Sequence, residues 1–127
     1  MAKKIMIIED ENDFQEIYTR ILKSRGYNLI NAYDGDEAMQ MLDDGNIPDL
    51  IILDMSMGMV MGDTFFLHLK SFQKFSDIPV IIVSAIPQKQ YSNLKKVDPE
   101  LVYINKAGLT KEILLEEVDK KLGTHMK

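Results

Sequence analysis

The feature that most limits the fold of this chain is a set of short apolar runs that no polar residue interrupts. Ile5–Ile8, Leu50–Leu53 and Val80–Val83 each contain four consecutive apolar residues. Strands covered on both faces show this continuous pattern, whereas half-exposed strands alternate apolar and polar residues. Asn28–Asn31 and Leu101–Ile104 are more mixed runs of similar length. The runs therefore predict five strands, of which three are covered on both faces.

Helical patterns separate these runs. Four apolar residues at helical spacing predict the first helix: Phe14, Ile17, Ile21 and Leu22. Asn12 or Asp13 is expected to cap its start and Gly26 to follow its end.

Four further helices are predicted along the chain. Asp34 and Glu37 form a capping-box pattern before the second helix, which Gly45 ends. The third helix is marked by Phe65, Phe66, Leu69 and Phe72. A weaker pattern from about Gln88 to Lys96 predicts the fourth. In the fifth, Thr110 caps a helix that carries Leu114, Leu115, Val118 and Leu122. Strands that alternate with helices predict an α/β fold with a doubly wound parallel sheet of five strands and five helices. In such sheets, ligands bind at the carboxyl ends of the strands.

Length and charge limit the functional class. The 127 residues fit one domain over 1–127, with a short tail at 123–127. The 15 basic and 20 acidic residues give a net charge of −5, which argues against direct binding of nucleic acid. The absence of cysteine excludes disulfides and thiolate metal sites. Since no apolar run is long enough for a membrane span or signal peptide, we expect a cytoplasmic protein.

Charged and polar side chains stand where the predicted strands end: Glu9, Asp10 and Glu11 after the first, Asp54 after the third, Ser84 after the fourth and Lys106 after the fifth. Two carboxylates about 4 Å apart repel each other by roughly 4 kcal/mol at an effective dielectric constant near 20. Lys106 supplies one positive charge, so a divalent ion with oxygen ligands is expected, and Mg²⁺ is favoured. Surface acids with no shared role are the alternative.

The same residues, in this order and at these intervals, give the chain a resemblance to a known family. Glu9–Asp10, Asp54, Ser84–Ala85 and Lys106 resemble the motifs of the receiver domain of two-component response regulators. The resemblance covers nearly the whole chain. It implies a flavodoxin-like fold with strand order 2-1-3-4-5.

The resemblance also implies roles for the acidic residues. Asp54 would be the phosphoacceptor, a carboxylate nucleophile that forms an aspartyl phosphate. Asp10, Asp54 and the main-chain carbonyl of Ser56 would bind Mg²⁺ directly, and Glu9 would act through a water molecule. The phosphoryl donor would be a sensor histidine kinase or a phosphotransfer protein.

Three further roles follow from the resemblance. Ser84 and Lys106 would bind phosphoryl oxygens, acting by position and by charge. Ser84 and Tyr103 would form a switch that alters the face made by the fourth helix, fifth strand and fifth helix. The alternative for Tyr103 is an ordinary half-buried aromatic residue on an edge strand.

Two positions bear on how long the phosphorylated state lasts. Ser56 and Ile86 would flank the path of the attacking water, and neither side chain is suited to orient it. The chain is thus expected to be a signalling domain, not an enzyme, that promotes its own phosphorylation and slow dephosphorylation.

Two other functions compete with this interpretation. A receiver-like domain that acts as a constitutive binding module would not need intact Asp10, Asp54, Ser84 and Lys106. An aspartate-nucleophile phosphatase would need an acid where Ser56 stands.

The loop after Asp54 departs from the family pattern. Gly58 replaces a proline that the family often has. Met55, Met57, Met59 and Met61 alternate there, a pattern that suits gap-filling by flexible methionines, with a thioether copper(I) site as the alternative. Ala107 follows Lys106 where the family has a proline, which leaves the isomer of that peptide bond open.

Overall fold

A computed structural model describes residues 2–55, 59–85 and 92–123 of the chain. Within these residues lie five strands, β1 (Lys4–Ile8), β2 (Asn28–Ala32), β3 (Leu50–Asp54), β4 (Val80–Ser84) and β5 (Val102–Asn105). They form one parallel sheet in the order β2-β1-β3-β4-β5. The prediction of a doubly wound parallel sheet with this order is confirmed.

Helices alternate with the strands, as the sequence predicts. They are α1 (Asn12–Ser24), α2 (Gly35–Asp43), α3 (Met59–Ser71), α4 (Ser92–Val97) and α5 (Lys111–Leu122). A 3-10 turn at Lys106–Gly108 follows β5. The predicted fourth helix began at about Gln88, but residues 86–91 lie outside the described part of the chain.

The sheet separates two apolar cores. Side chains of α2, α3 and α4 pack with one face of the sheet, and side chains of α1 and α5 pack with the other. Every residue of β3 and β4 is buried. This double coverage explains why both strands are continuous apolar runs. It also removes Asp54 and Ser84, the last residues of these strands, from solvent.

Three of the predicted helix boundaries are confirmed. Asp34 Oδ1 accepts a hydrogen bond from the Glu37 backbone N–H at the start of α2. Thr110 Oγ1 accepts one from Ile113 at the start of α5. Gly26 follows α1 with a φ of +92°, a conformation that glycine adopts at little cost.

Two expectations for α1 are wrong. Its N-cap residue is Glu11, not Asn12 or Asp13, and in the described structure the Glu11 side chain makes no capping hydrogen bond. Ile17, which the apolar spacing places in the buried stripe, is 45% exposed, whereas Tyr18 is fully buried. The stripe instead runs through Phe14, Tyr18 and Leu22, which follow one another at intervals of four residues on one face of a helix.

Two further features bear on the sequence expectations. The described residues contain no cis peptide bond, so the bond from Lys106 to Ala107 is trans. Among the described helices, none has the length and apolar character needed to cross a membrane.

Candidate functional site

The ends of β1, β3 and β5 bring three charged side chains together. Glu9 follows β1, Asp54 ends β3 and Lys106 follows β5. Lys106 Nζ lies 2.9 Å from Asp54 Oδ2 and 3.3 Å from Glu9 Oε1. Both carboxylates are fully buried, while the Lys106 side chain is 12% exposed. The parallel sheet thus creates a buried cluster of two acids and one ammonium group.

A second donor reaches Asp54 from the core. The Tyr18 hydroxyl donates a hydrogen bond of 2.8 Å to Asp54 Oδ2, the oxygen that Lys106 also contacts. Burial, together with the charge of Asp54, raises the pKa of the Tyr18 phenol. Tyr18 therefore keeps its proton and acts as a donor.

Lys106 is held by charge and by an aromatic ring. Its Nζ lies 3.6 Å from the centroid of the Phe14 ring, within the range of a cation–π contact. Burial lowers the pKa of Lys106, but hydrogen bonding to Asp54 and the charges of Asp54 and Glu9 outweigh this effect, and the net pKa is raised. The ammonium group stays charged at the mouth of the site.

One ammonium group does not balance the acids. Burial, and then the neighbouring Asp54, raise the pKa of Glu9 to about 8. The backbone N–H of Glu11, which donates to Glu9 Oε2 at 3.0 Å, acts in the opposite direction but is the weaker influence. Burial and the neighbouring Asp54 thus outweigh the attraction of Lys106, and Glu9 favours its protonated form.

Carboxylates gather in the loop after β1. Glu9, Asp10 and Glu11 each offer one oxygen, and these oxygens lie within 4.8 Å of one another. Asp10 and Glu11 are exposed, whereas Glu9 is buried. An all-oxygen donor set beside an excess of negative charge suits a hard divalent cation such as Mg²⁺. The side chains present therefore fit the predicted ion.

Gln15 of α1 fixes the backbone of this loop. Its Nε2 donates to the main-chain oxygen of Glu9 at 3.0 Å and to that of Ala32 at 2.7 Å. Its Oε1 accepts a hydrogen bond from Asn31 of β2. Gln15 is buried, so these bonds tie the acidic loop to β2 without competition from water.

Ser84 and Tyr103 lie on the neighbouring strands β4 and β5. Ser84 is fully buried at the end of β4, and Val83 is paired in register with Asp54. Tyr103 is half-buried, and its hydroxyl donates to the main-chain oxygen of Ser84 at 3.2 Å. The two residues of the predicted switch are therefore in direct contact.

Other predicted positions lie outside the described residues. Ser56 and Ile86 do so, and therefore their predicted roles stay predictions. Of the alternating methionines, Met55 is fully buried in the core with α2 and α3, as gap-filling predicts. The side chains of Met57, Met59 and Met61 are not described.

Three neighbours of the site do not follow from the sequence motifs: Phe14 as a partner of Lys106, Gln15 as a loop anchor, and Tyr18 as a donor to Asp54. A usable signal existed for Tyr18, because it lies four residues after Phe14 on one helix face. No comparable signal marks Gln15, since a polar residue at a helix start is usually exposed.

Comparison with known proteins adds the family context. The family model of the response regulator receiver domain matches residues 5–114. The phosphate regulon transcriptional regulatory protein PhoB of Escherichia coli is 35% identical over 85 residues, which are 67% of this chain and 37% of that protein. The sensor histidine kinase CheAY of Helicobacter pylori is 33% identical over 82 residues, 64% of this chain and 10% of that protein. The matched region is thus well under half of either relative.

Solved structures share the fold. The signal receiver domain of a signal transduction histidine kinase from Syntrophus aciditrophicus has a TM-score of 0.83 at 27% identity, covering 96% of this chain and 91% of that one. The chemotaxis response regulator CheY4 of Vibrio cholerae also has a TM-score of 0.83, at 20% identity, covering 95% of this chain and 99% of that one. The second likeness supports the fold alone.

Proposed function

Because this chain belongs to the family of response regulator receiver domains, we propose that it is a phosphorylation-dependent switch of a two-component system. In this proposal Asp54 accepts a phosphoryl group from the phosphohistidine of a sensor kinase or a phosphotransfer protein. An Asp54 oxygen forms the new bond to phosphorus, and the histidine nitrogen leaves with the electron pair of the bond that breaks.

The observation that carries the proposal is the environment of Asp54. Its carboxylate is fully buried, yet it lies at the carboxyl end of β3 with Lys106 Nζ 2.9 Å away. A buried carboxylate beside a fixed cation is costly as a purely structural device. It suits phosphoryl transfer, in which a protein acts chiefly by positioning groups and countering charge.

Mg²⁺ is the proposed cofactor. Asp10, Asp54 and the main-chain carbonyl of Ser56 would hold it directly, and Glu9 would act through water. The ion would neutralise charge on the phosphoryl oxygens. The raised pKa of Glu9 supports this assignment, because burial and Asp54 disfavour its ionised form and a divalent cation would offset both effects. Lys106 would bind one phosphoryl oxygen through its ammonium group, and Ser84 another through its hydroxyl.

The proposed output is a change in the face of α4, β5 and α5. Ser84 would move toward the phosphoryl group, and Tyr103 would turn into the space that this movement opens. The hydrogen bond from the Tyr103 hydroxyl to the Ser84 main-chain oxygen supports such coupling, because movement of one residue disturbs the other. A partner that binds this face would then distinguish the two states.

Intact-mass spectrometry after treatment with acetyl phosphate and Mg²⁺ tests the proposal. We expect the mass of one phosphoryl group to be added, and we expect no addition when EDTA replaces Mg²⁺. Asp54→Asn should stay unlabelled. Asp43→Asn, which changes an exposed acid at the C-terminal end of α2, is the matched control and should label like the wild type. A wild type that takes up no phosphoryl group would favour a constitutive binding module instead.

A further inference from the structure

The Tyr18 hydroxyl contacts Asp54 from the side of the core. Tyr18 is fully buried in the cluster that includes Ile7 and Ile52, and it donates to Asp54 Oδ2 at 2.8 Å. Lys106 contacts the same oxygen from the mouth of the site. Asp54 is therefore stabilised by a neutral donor, Tyr18, as well as by the cation of Lys106. The sequence motifs of the site do not include this donor.

We propose that Tyr18 shortens the lifetime of the aspartyl phosphate, by stabilising the free Asp54 carboxylate more than its phosphorylated form. This inference rests on the proposed function. A hydrogen bond to an ionised acceptor is roughly twice as strong as one to a neutral acceptor. Phosphorylation turns the carboxylate into an acyl phosphate, in which both carboxyl oxygens are weaker acceptors. The Tyr18 hydrogen bond therefore favours the unphosphorylated protein, whichever oxygen forms the bond to phosphorus.

The same hydrogen bond acts on the rate of hydrolysis. Water attacks phosphorus, the bond from phosphorus to the Asp54 oxygen breaks with its electron pair, and the products are the Asp54 carboxylate and inorganic phosphate. The protons of the water go to phosphate and solvent. Negative charge grows on the leaving carboxylate in the transition state, and a donor already in place stabilises it without reorganisation.

Tyr18 acts on a different side of the reaction from Ser56 and Ile86. Those two positions are proposed to flank the attacking water, whereas Tyr18 contacts the leaving carboxylate. Burial keeps the phenol protonated, so its donor strength should not vary over the neutral pH range. The effect of Tyr18 on the decay rate and the effect of the two water-flanking positions should therefore multiply.

The test compares Tyr18→Phe with Tyr27→Phe. Tyr27 is also buried, and its hydroxyl donates to the carboxylate of Asp119, which lies on α5 away from the site. Each variant removes one buried hydroxyl that is bonded to a carboxylate, so the pair separates a local effect on Asp54 from general loss of stability. Each protein is phosphorylated with acetyl phosphate and Mg²⁺, the donor is removed, and decay is followed by intact mass.

We expect the aspartyl phosphate of Tyr18→Phe to last about fivefold longer than that of the wild type and of Tyr27→Phe. Tyr18→3-fluorotyrosine, whose hydroxyl is a stronger donor of similar size, should shorten the lifetime of the aspartyl phosphate. This variant also tests the inference if Tyr18→Phe fails to fold. Equal or faster decay in Tyr18→Phe, or a longer lifetime with 3-fluorotyrosine, would overturn the inference. Failure of the wild type to accept a phosphoryl group would instead overturn the proposed function.

Discussion

Replacing Glu9 with glutamine removes an ionisable group from the buried cluster and keeps the size of the side chain. The pKa of Glu9 is raised from 4.5 to about 8 in the folded protein, first by burial and then by Asp54. Between these two values the folded protein holds a proton that the unfolded chain releases. Glu9→Gln cannot release that proton, so the variant should lose the corresponding pH dependence of stability.

The sign and size of the effect follow from proton linkage. A carboxyl group whose pKa is raised by folding contributes stability below its unfolded pKa, and that contribution is lost as pH rises through its folded pKa. Each pH unit in this window changes the free energy of unfolding by about 1.4 kcal/mol. From about pH 5 to about pH 8, the wild type should therefore lose about 3 kcal/mol relative to Glu9→Gln in metal-free buffer.

Urea unfolding at several pH values in the presence of EDTA measures this difference. Glu112→Gln, which changes an exposed acid of α5, is the control and should follow the wild type. The expected result is a gap between wild type and Glu9→Gln that widens steadily toward pH 8. A gap that is constant with pH, or one that narrows, would show that Glu9 is ionised in the folded protein and that its pKa is not raised by burial and by Asp54.

Three other predictions concern the metal, the lifetime and the fold. Asp10→Asn should weaken Mg²⁺ binding by about tenfold or more in a calorimetric titration, and unchanged affinity would make Asp10 an ordinary loop acid. The wild-type aspartyl phosphate should last minutes to hours, and Ile86→Glu or Ser56→Asn should speed its decay in magnesium buffer; decay within seconds in the wild type would refute this. Asp119→Ala should lower the free energy of unfolding by about 2 kcal/mol in urea, because the buried carboxylate accepts hydrogen bonds from Arg25 and a buried tyrosine; a change near zero would contradict this.

The fold was predictable because the apolar runs of the strands and the capping residues of the helices indicate the same order of elements. Val80–Val83 and the residues of β3 are continuous apolar runs, and both strands are covered on two faces in the structure. Helix ends followed the side chains that form their caps, as at Thr110. The face of α1 was less predictable, because Ile17 and Tyr18 are neighbours that both suit a core and the helix can bury one of them. The structure buries Tyr18, which lies on the same helix face as Phe14 and Leu22 and whose hydroxyl bonds to Asp54.

The site was predictable where its residues end strands. Asp54 and Lys106 were assigned to one cluster because parallel strands bring their carboxyl ends to the same edge of the sheet. The sequence predicted that the acids of the site outnumber its one ammonium group, but it did not predict how far the pKa of Glu9 is raised. The raised pKa of Glu9 depends on how deeply the sheet and α1 bury its carboxyl group, and sequence spacing does not report burial of a residue that follows a strand.

The central claim is that the Asp54 carboxylate itself forms the bond to phosphorus. After treatment with acetyl phosphate and Mg²⁺, reduction with borohydride converts an acyl phosphate to an alcohol and so marks the phosphorylated side chain permanently. Peptide mass spectrometry should then find homoserine at position 54 and unmodified aspartate at position 10. A mark at position 10, or labelling that persists in Asp54→Asn, would contradict the account.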